Sequence, residues 1–211
     1  MLYDDEIASK VAAYLLEINA VKLSARKPFT WVSGMRSPIY CDNRLTLSYP
    51  HVREFIKQSF SKVILNRFRN VDIIVGVATA GIPHGALVAE KLKLPFAYVR
   101  ANAKAHGLQN LVEGKVEEGQ RAVLIEDLIS TGGSSIAAVK ALRERYVDVL
   151  GLCAIFTYGF AKAEDTFSEN KCDYYTLSDY PSLINYASAN FLVELEEEEM
   201  LLDWYKNPAN W

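Results

Sequence analysis

Two adjacent carboxylates, Glu126 and Asp127, follow an apolar run from Ala122 to Ile125 and precede a turn of hydroxyls and glycines, Ser130-Thr131-Gly132-Gly133-Ser134-Ser135. A helical pattern begins at Ile136. Such a turn aims backbone N–H groups and hydroxyls at one place, at the start of a helix whose dipole favours an anion. Phosphate suits that place. The carboxylates repel phosphate but suit neutral hydroxyls or a metal, and two acids side by side at the end of an apolar strand need a reason to be there. A phosphate at one end and a diol at the other describe a ribose phosphate. The plain alternative is an ordinary glycine turn between a strand and a helix. No Gly-Lys-Ser/Thr follows, so this is not a Walker loop, and the dinucleotide fingerprint Gly-x-Gly-x-x-Gly is absent.

A second group of reactive side chains, Arg100, Lys104 and His106, lies in a polar stretch that runs on to Gly114. Read plainly, it is an exposed hairpin tip with scattered charge. One of only three histidines lies here beside a glycine, however, and a long loop in a compact α/β domain is usually functional or disordered. Loops that fold over a substrate exclude water and complete a charge constellation. The third group is the aromatic, hydroxyl-bearing segment from Phe29 to Tyr40, with Ser33, Gly34, Ser37 and Pro38. Alone it reads as a small hydrophobic hairpin capping a sheet.

The elements that must carry these groups follow from periodicity. Ile7, Val11, Tyr14, Leu15 and Ile18 mark an opening amphipathic helix, and Val52, Phe55, Ile56, Phe60 and Ile64 a second, with Pro50 suited to its first turn. Lys27 to Arg44 reads as short strands and turns. From Asp72 onward, apolar runs (73–77, 96–99, 122–125, 149–156) alternate with helical stretches reaching Leu92 and Tyr146. That rhythm predicts an α/β fold, a parallel sheet flanked by helices. Ligands in such sheets bind at the carboxyl ends of the strands, where Glu126-Asp127 and the turn from Ala78 to Gly81 should meet. The acidic run from Glu194 to Glu199 reads as a solvated helix face leading to Trp204, with no catalytic role.

The chain has 211 residues, half of them hydrophobic, which is enough for one well-buried domain. A net charge of −3 and the lack of basic stripes argue against nucleic acid as a partner. Cys41, Cys153 and Cys172 are odd in number and far apart, so they read as reduced thiols and not as disulfides or a zinc site. No secretory leader is evident in Met1 to Lys10, and no segment approaches the ~20 apolar residues of a membrane span. A soluble, cytoplasmic protein is expected.

Taken in order, Phe-Thr-x-x-Ser-Gly-x-x-Ser-Pro-x-Tyr, Ala-Gly-Ile-Pro, Arg-x-x-x-Lys-x-His-Gly and Glu-Asp-x-x-Ser-Thr-Gly-Gly-Ser resemble the orotate phosphoribosyltransferases among the type I phosphoribosyltransferases. The resemblance runs from Leu15 to about Phe160. The last motif alone would support only a phosphoribosyltransferase; the first and third are more specific. The resemblance implies one domain over 1–211, with a small hood formed mainly by about 20–45 together with C-terminal helical segments. It implies that phosphoribosyl pyrophosphate (PRPP) is held by the motif Glu126, Asp127, Leu128, Ile129, Ser130, Thr131, Gly132, Gly133 and Ser134. Glu126 and Asp127 would take the ribose hydroxyls, and Ser130 to Ser134 the 5-phosphate. Ser130, Phe29 and Ser33 would lie against orotate. Lys22 would lie near the pyrophosphate, although its spacing fits imperfectly.

Arg100, Lys104 and His106 would form a catalytic loop that reaches into the partner subunit of a homodimer. Mg²⁺ would be bound mainly through the substrate, with no dedicated protein ligand. The reaction implied is pyrimidine biosynthesis from orotate and PRPP, giving orotidine 5′-monophosphate and pyrophosphate. Ala80, Ala101 and Ala105 depart from residues common in the family; the first recurs in a branch reading Ala-Thr-Ala-Gly-Ile-Pro. Two rivals share parts of the pattern: a purine phosphoribosyltransferase with a different hood, and a non-enzymatic regulator that uses a PRPP site as a sensor. A fused decarboxylase does not fit in 211 residues.

Overall fold

A computed structural model describes residues 1–31, 34–101, 111–209 and 211. The chain opens with α1 (Asp5–Glu17), capped by the Asp4 carboxylate, which accepts a hydrogen bond from the Ile7 N–H at 2.9 Å. Four short strands follow: β1 (Val21–Leu23), β2 (Phe29–Thr30), β3 (Arg36–Ser37) and β4 (Ile39–Cys41). They make two small antiparallel sheets, β1 with β4 and β2 with β3. A 3-10 helix (Asn43–Ser48) leads into α2 (Pro50–Arg67), whose proline fills the first turn as expected.

The alternating half contains β5 (Ile73–Val77), α3 (Gly81–Leu92), β6 (Phe96–Val99), β7 (Val112–Glu113), β8 (Arg121–Ile129), α4 (Gly133–Arg143), β9 (Asp148–Thr157), α5 (Ala161–Glu169), β10 (Tyr174–Asp179) and α6 (Tyr180–Ala189). The final helix is α7 (Leu195–Lys206). The central sheet has the order β10-β9-β8-β5-β6-β7 and is parallel except for β7, which runs antiparallel to β6. The predicted α/β architecture is therefore present. Two boundaries differ from the expectation: β8 continues through Glu126 and Asp127 to Ile129, and the helix after it starts at Gly133. The strand survives its acids because β9 pairs with it to the end, Glu126 opposite Ala154 and Ile129 opposite Thr157.

Both faces of the sheet are covered, and the strand period of two sorts the side chains. Ile74, Val123, Ile125, Cys153 and Ile155 pack with α1, α2, α3, α6 and α7. Ile73, Val75, Ala122, Leu124, Leu152 and Ala154 pack with α4 and α5 on the opposite face.

The site is positioned by the strand order. After β5 the chain moves to β6 on one side and later returns to β8 on the other. The crevice at the carboxyl ends of β5 and β8 is thus the switch point where open α/β sheets bind ligands. The turn from β5 into α3, whose Ala78–Thr79 peptide is cis, lies tight against β8. A Cβ at Gly81 would collide with the Ile125 carbonyl oxygen, so only glycine lets these backbones approach.

Candidate functional site

Parity along β8 sends its two carboxylates to different faces. Glu126 continues the series of Ala122 and Leu124 toward α4, where the Ser135 hydroxyl donates to its Oε2 at 3.3 Å. Its other oxygen accepts the Asp127 N–H at 3.1 Å. Glu126 is 4% exposed, and burial, then the charge of Asp127, push its carboxyl well above the usual range. Burial also raises Asp127, partly offset by its interaction with Glu126 and by two backbone N–H groups. Two raised acids in contact retain a proton between them more readily than separate ones.

Asp127 is held from the far side. Asn43 donates its side-chain N–H to the Asp127 carbonyl oxygen at 2.7 Å and accepts the Cys41 thiol at 3.3 Å. The Asn43 carbonyl in turn accepts the Thr46 hydroxyl at 2.6 Å. With its proton so used, Thr46 receives the Nε2–H of His84, 3.2 Å away, which assigns the histidine tautomer. Asn43, Thr46 and His84 are all buried, and burial, then Arg53, lowers the His84 pKa to about 4. Nothing in the sequence pattern marked these three residues, which lie far from the acids along the chain.

Beyond Ile129 the turn enters α4. Gly132 caps the helix with φ 81°. The first i→i−4 bond of the helix is made by the Ile136 N–H to the Gly132 carbonyl, so the preceding N–H groups are free of the helix ladder. Thr131, Gly133 and Ser134 are exposed, and a Cβ on Gly133 would meet open space. This is the geometry of an anion cradle at a helix start.

Next to the acids is a cavity of about 310 Å³ lined by Thr30, Trp31, Tyr40, Cys41, Leu128, Ser130 and Tyr158. Burial raises the Cys41 thiol and the Tyr158 phenol far above their ordinary values, so both stay protonated and neutral. The walls are flat and aromatic, with Trp31 and Tyr158 rings 4.9 Å apart. A planar, ring-sized guest fits this space.

The structure distributes the predicted site residues unevenly. It brings Glu126, Asp127, Leu128 and Ser130 together around the acids and the cavity. Phe29 lies beside that cavity, its ring 5.8 Å from that of Tyr40. Ser37 is buried, with its hydroxyl given to the Ile39 carbonyl. Lys22 is exposed and stands opposite Tyr40 in the β1–β4 pair, which puts it on the same sheet face. Arg100 follows β6, its guanidinium 3.5 Å from Glu113 and its N–H bonded to the Leu111 carbonyl. Ser33, Lys104 and His106 lie outside the described residues. Tyr158, just past the carboxyl end of β9, was not singled out in the sequence, although the strand-end rule points to it.

Comparison with known proteins gives a consistent result. The phosphoribosyl transferase domain family matches residues 44–191. An orotate phosphoribosyltransferase of Listeria monocytogenes serotype 4b is 52% identical over 205 residues, covering 97% of this chain and 98% of that protein. One from Staphylococcus haemolyticus is 51% identical over 201 residues, covering 95% and 100%. Among solved structures, the orotate phosphoribosyltransferase of Aeropyrum pernix superposes with a TM-score of 0.74 at 25% identity, covering 87% of this chain and 99% of that one.

Proposed function

The chain belongs to the phosphoribosyl transferase domain family and, within it, to the orotate phosphoribosyltransferases, and from that membership we propose how its site works. The reaction is transfer of the phosphoribosyl group of PRPP to orotate, giving orotidine 5′-monophosphate and pyrophosphate in pyrimidine biosynthesis. One observation supports the reading: the acids Glu126 and Asp127 are followed within β8 and its turn by Leu128 and Ser130, which line a neutral, aromatic, ring-sized cavity, and then by an anion cradle at the start of α4. Phosphate, ribose diol and base are assigned to these adjoining segments.

Glu126 and Asp127 grip the ribose hydroxyls, and the turn from Ser130 to Ser134 receives the 5-phosphate. The cavity beside Ser130, with Phe29 at its border, takes orotate, and Ser33 contributes to its binding. A ring nitrogen of orotate attacks the anomeric carbon as the bond to pyrophosphate breaks, and both electrons of that bond leave with the pyrophosphate. No protein nucleophile is needed. The chain contributes orientation and charge stabilisation. Lys104 and Arg100 neutralise the leaving group, and His106 hydrogen-bonds it or moves a proton. Lys22, on the sheet face of Tyr40, adds positive charge near the pyrophosphate.

The two adjacent carboxylates at the site suit Mg²⁺ held mainly through substrate oxygens, since that ion takes oxygen ligands and keeps several waters. When bound there, Mg²⁺ supplies positive charge to the pyrophosphate. The segment after Arg100 serves the partner's site in a homodimer, the β1–β4 region forms a hood over the base, and the enzyme works in the cytoplasm.

The direct test is the loss of orotate absorbance on adding PRPP, with and without Mg²⁺, beside parallel assays with adenine, hypoxanthine and xanthine. Turnover of a purine in place of orotate would overturn the assignment.

A further inference from the structure

The wall of the base cavity is braced by a residue far away in the chain. Trp204 on α7 is fully buried, and its indole N–H donates to the Arg36 carbonyl at 3.2 Å. Arg36 stands in register with Thr30, which lines the cavity, in the β2–β3 pair. The Trp204 ring also meets Trp31 edge-on at 6.0 Å and Tyr158 edge-on at 6.3 Å. Trp31 is itself pinned by its own indole N–H, given to the Ile39 carbonyl at 3.0 Å. One side chain therefore touches Trp31 and Tyr158 of the cavity wall and hydrogen-bonds β3, the partner of the strand that carries Thr30. The other end of α7 is tied to the same region, where Arg26 contacts Glu194 at 2.7 Å and Glu196 at 3.1 Å. β2 and β3 contribute only two residues each, too little to hold their own shape in water.

We infer that Trp204 is a positioning residue for the base: through its bond to Arg36 and its edge contacts with Trp31 and Tyr158, α7 sets the width of the orotate slot. The inference rests on the proposed reading that this cavity takes the base. Trp204 stands behind the lining of the cavity and not in it, against Trp31 and Tyr158, so its influence falls first on the base. Loss of the indole N–H leaves the β2–β3 hairpin looser, and a looser wall binds a flat guest less well before it affects the chemistry.

The test is Trp204→Phe, which keeps an aromatic ring and removes the donor, compared with Trp31→Leu in the wall itself. KM for orotate should rise about three- to tenfold in Trp204→Phe, the worth of one hydrogen bond. In that variant kcat and KM for PRPP should stay within about twofold, well inside the effect of a lost contact. Equal shifts in the two KM values, or a lowered Tm with unchanged constants, would show that Trp204 is only a core residue and overturn the inference. If Trp31→Leu raises KM for orotate and Trp204→Phe does not, the brace alone fails. If Trp31→Leu leaves that constant unchanged, the cavity is not the base site and both readings fall together.

Discussion

Asn43 hydrogen-bonds the main-chain carbonyl of Asp127 at 2.7 Å, filling the side of β8 that β5 leaves uncovered. Pairing with β5 stops at Ile125, opposite Gly76. The carbonyl beyond it would otherwise face the crevice without a strand partner. Asn43 is 1% exposed and cannot exchange this bond for water.

Replacing Asn43 with Leu should therefore destabilise the fold by about 1–3 kcal/mol, the cost of a buried polar group left unsatisfied. It should also weaken PRPP binding more than orotate binding, because the displaced strand carries the acids. Urea denaturation and the two KM values check both parts. Unchanged stability would show that the bond contributes nothing.

His84 gives a pH signature. Its folded pKa of about 4 lies below the ordinary 6.5, so the unfolded chain takes up a proton that the folded chain refuses between those values. The contribution is fully present above that ordinary value and disappears as pH falls toward the lower one. Stability should drop by up to about 1.4 kcal/mol per pH unit across this window, and His84→Gln should flatten the slope. Denaturant melts at stepped pH values on both proteins would reveal it.

Glu126→Gln should separate stability from function. Burial and the Asp127 charge penalise the Glu126 carboxylate in the folded chain, so a neutral amide of the same shape should raise Tm at neutral pH. Turnover should fall by about a hundredfold, as when one preorganised polar contact is lost. Calorimetry together with the orotate assay checks the pair of signs. A lower Tm would mean that the bond from Ser135 outweighs the repulsion.

Lys104→Ala should cut kcat by about a hundredfold or more while substrate binding falls less, if its charge acts on the leaving group. Mixing that variant with Glu126→Gln subunits should restore partial activity, because one hybrid site receives both intact halves. No recovery in verified heterodimers would refute a shared site.

Gly81→Ala tests the approach of the two halves of the sheet. The added carbon collides with the Ile125 carbonyl, and both sides of the clash are backbone, so neither yields cheaply. A loss of about 2–4 kcal/mol is expected, larger than that of most single substitutions. A thermal melt near that of the unaltered protein would show that the turn can move aside.

The sequence made some of this legible and concealed the rest for physical reasons. The continuous apolar run from Ile73 to Val77 announced a buried parallel strand, and the acids followed by Ser-Thr-Gly-Gly announced the cradle, because both signals are local. β7 has two residues and β10 mixes Tyr, Thr, Ser and Asp, so neither carries a pattern. By pattern alone the strand is the apolar run ending at Ile125, with Glu126 and Asp127 following it, because charge usually ends a strand. Only the pairing with β9 shows otherwise. The links from His84 to Thr46, Asn43 and Asp127, and from Trp204 to Arg36, join distant segments, and their partners are set by packing. The acidic run before Trp204 reads as a solvated face, and Glu194 and Glu196 are largely exposed; the sequence did not show that these two and Glu197 pair with Arg26.

The overrun of β8 past β5 has a mechanical meaning. From Glu126 to Ile129 the strand is a cantilever, fastened along β9 and free of ladder bonds to β5. A load on this overhang passes into β9 through the pairs from Glu126 to Ile129, while the β5–α3 turn stays locked to β8 at Ile125. The end of β8 that carries the acids is therefore stiffened from one side by β9 and from the other only by the side chain of Asn43.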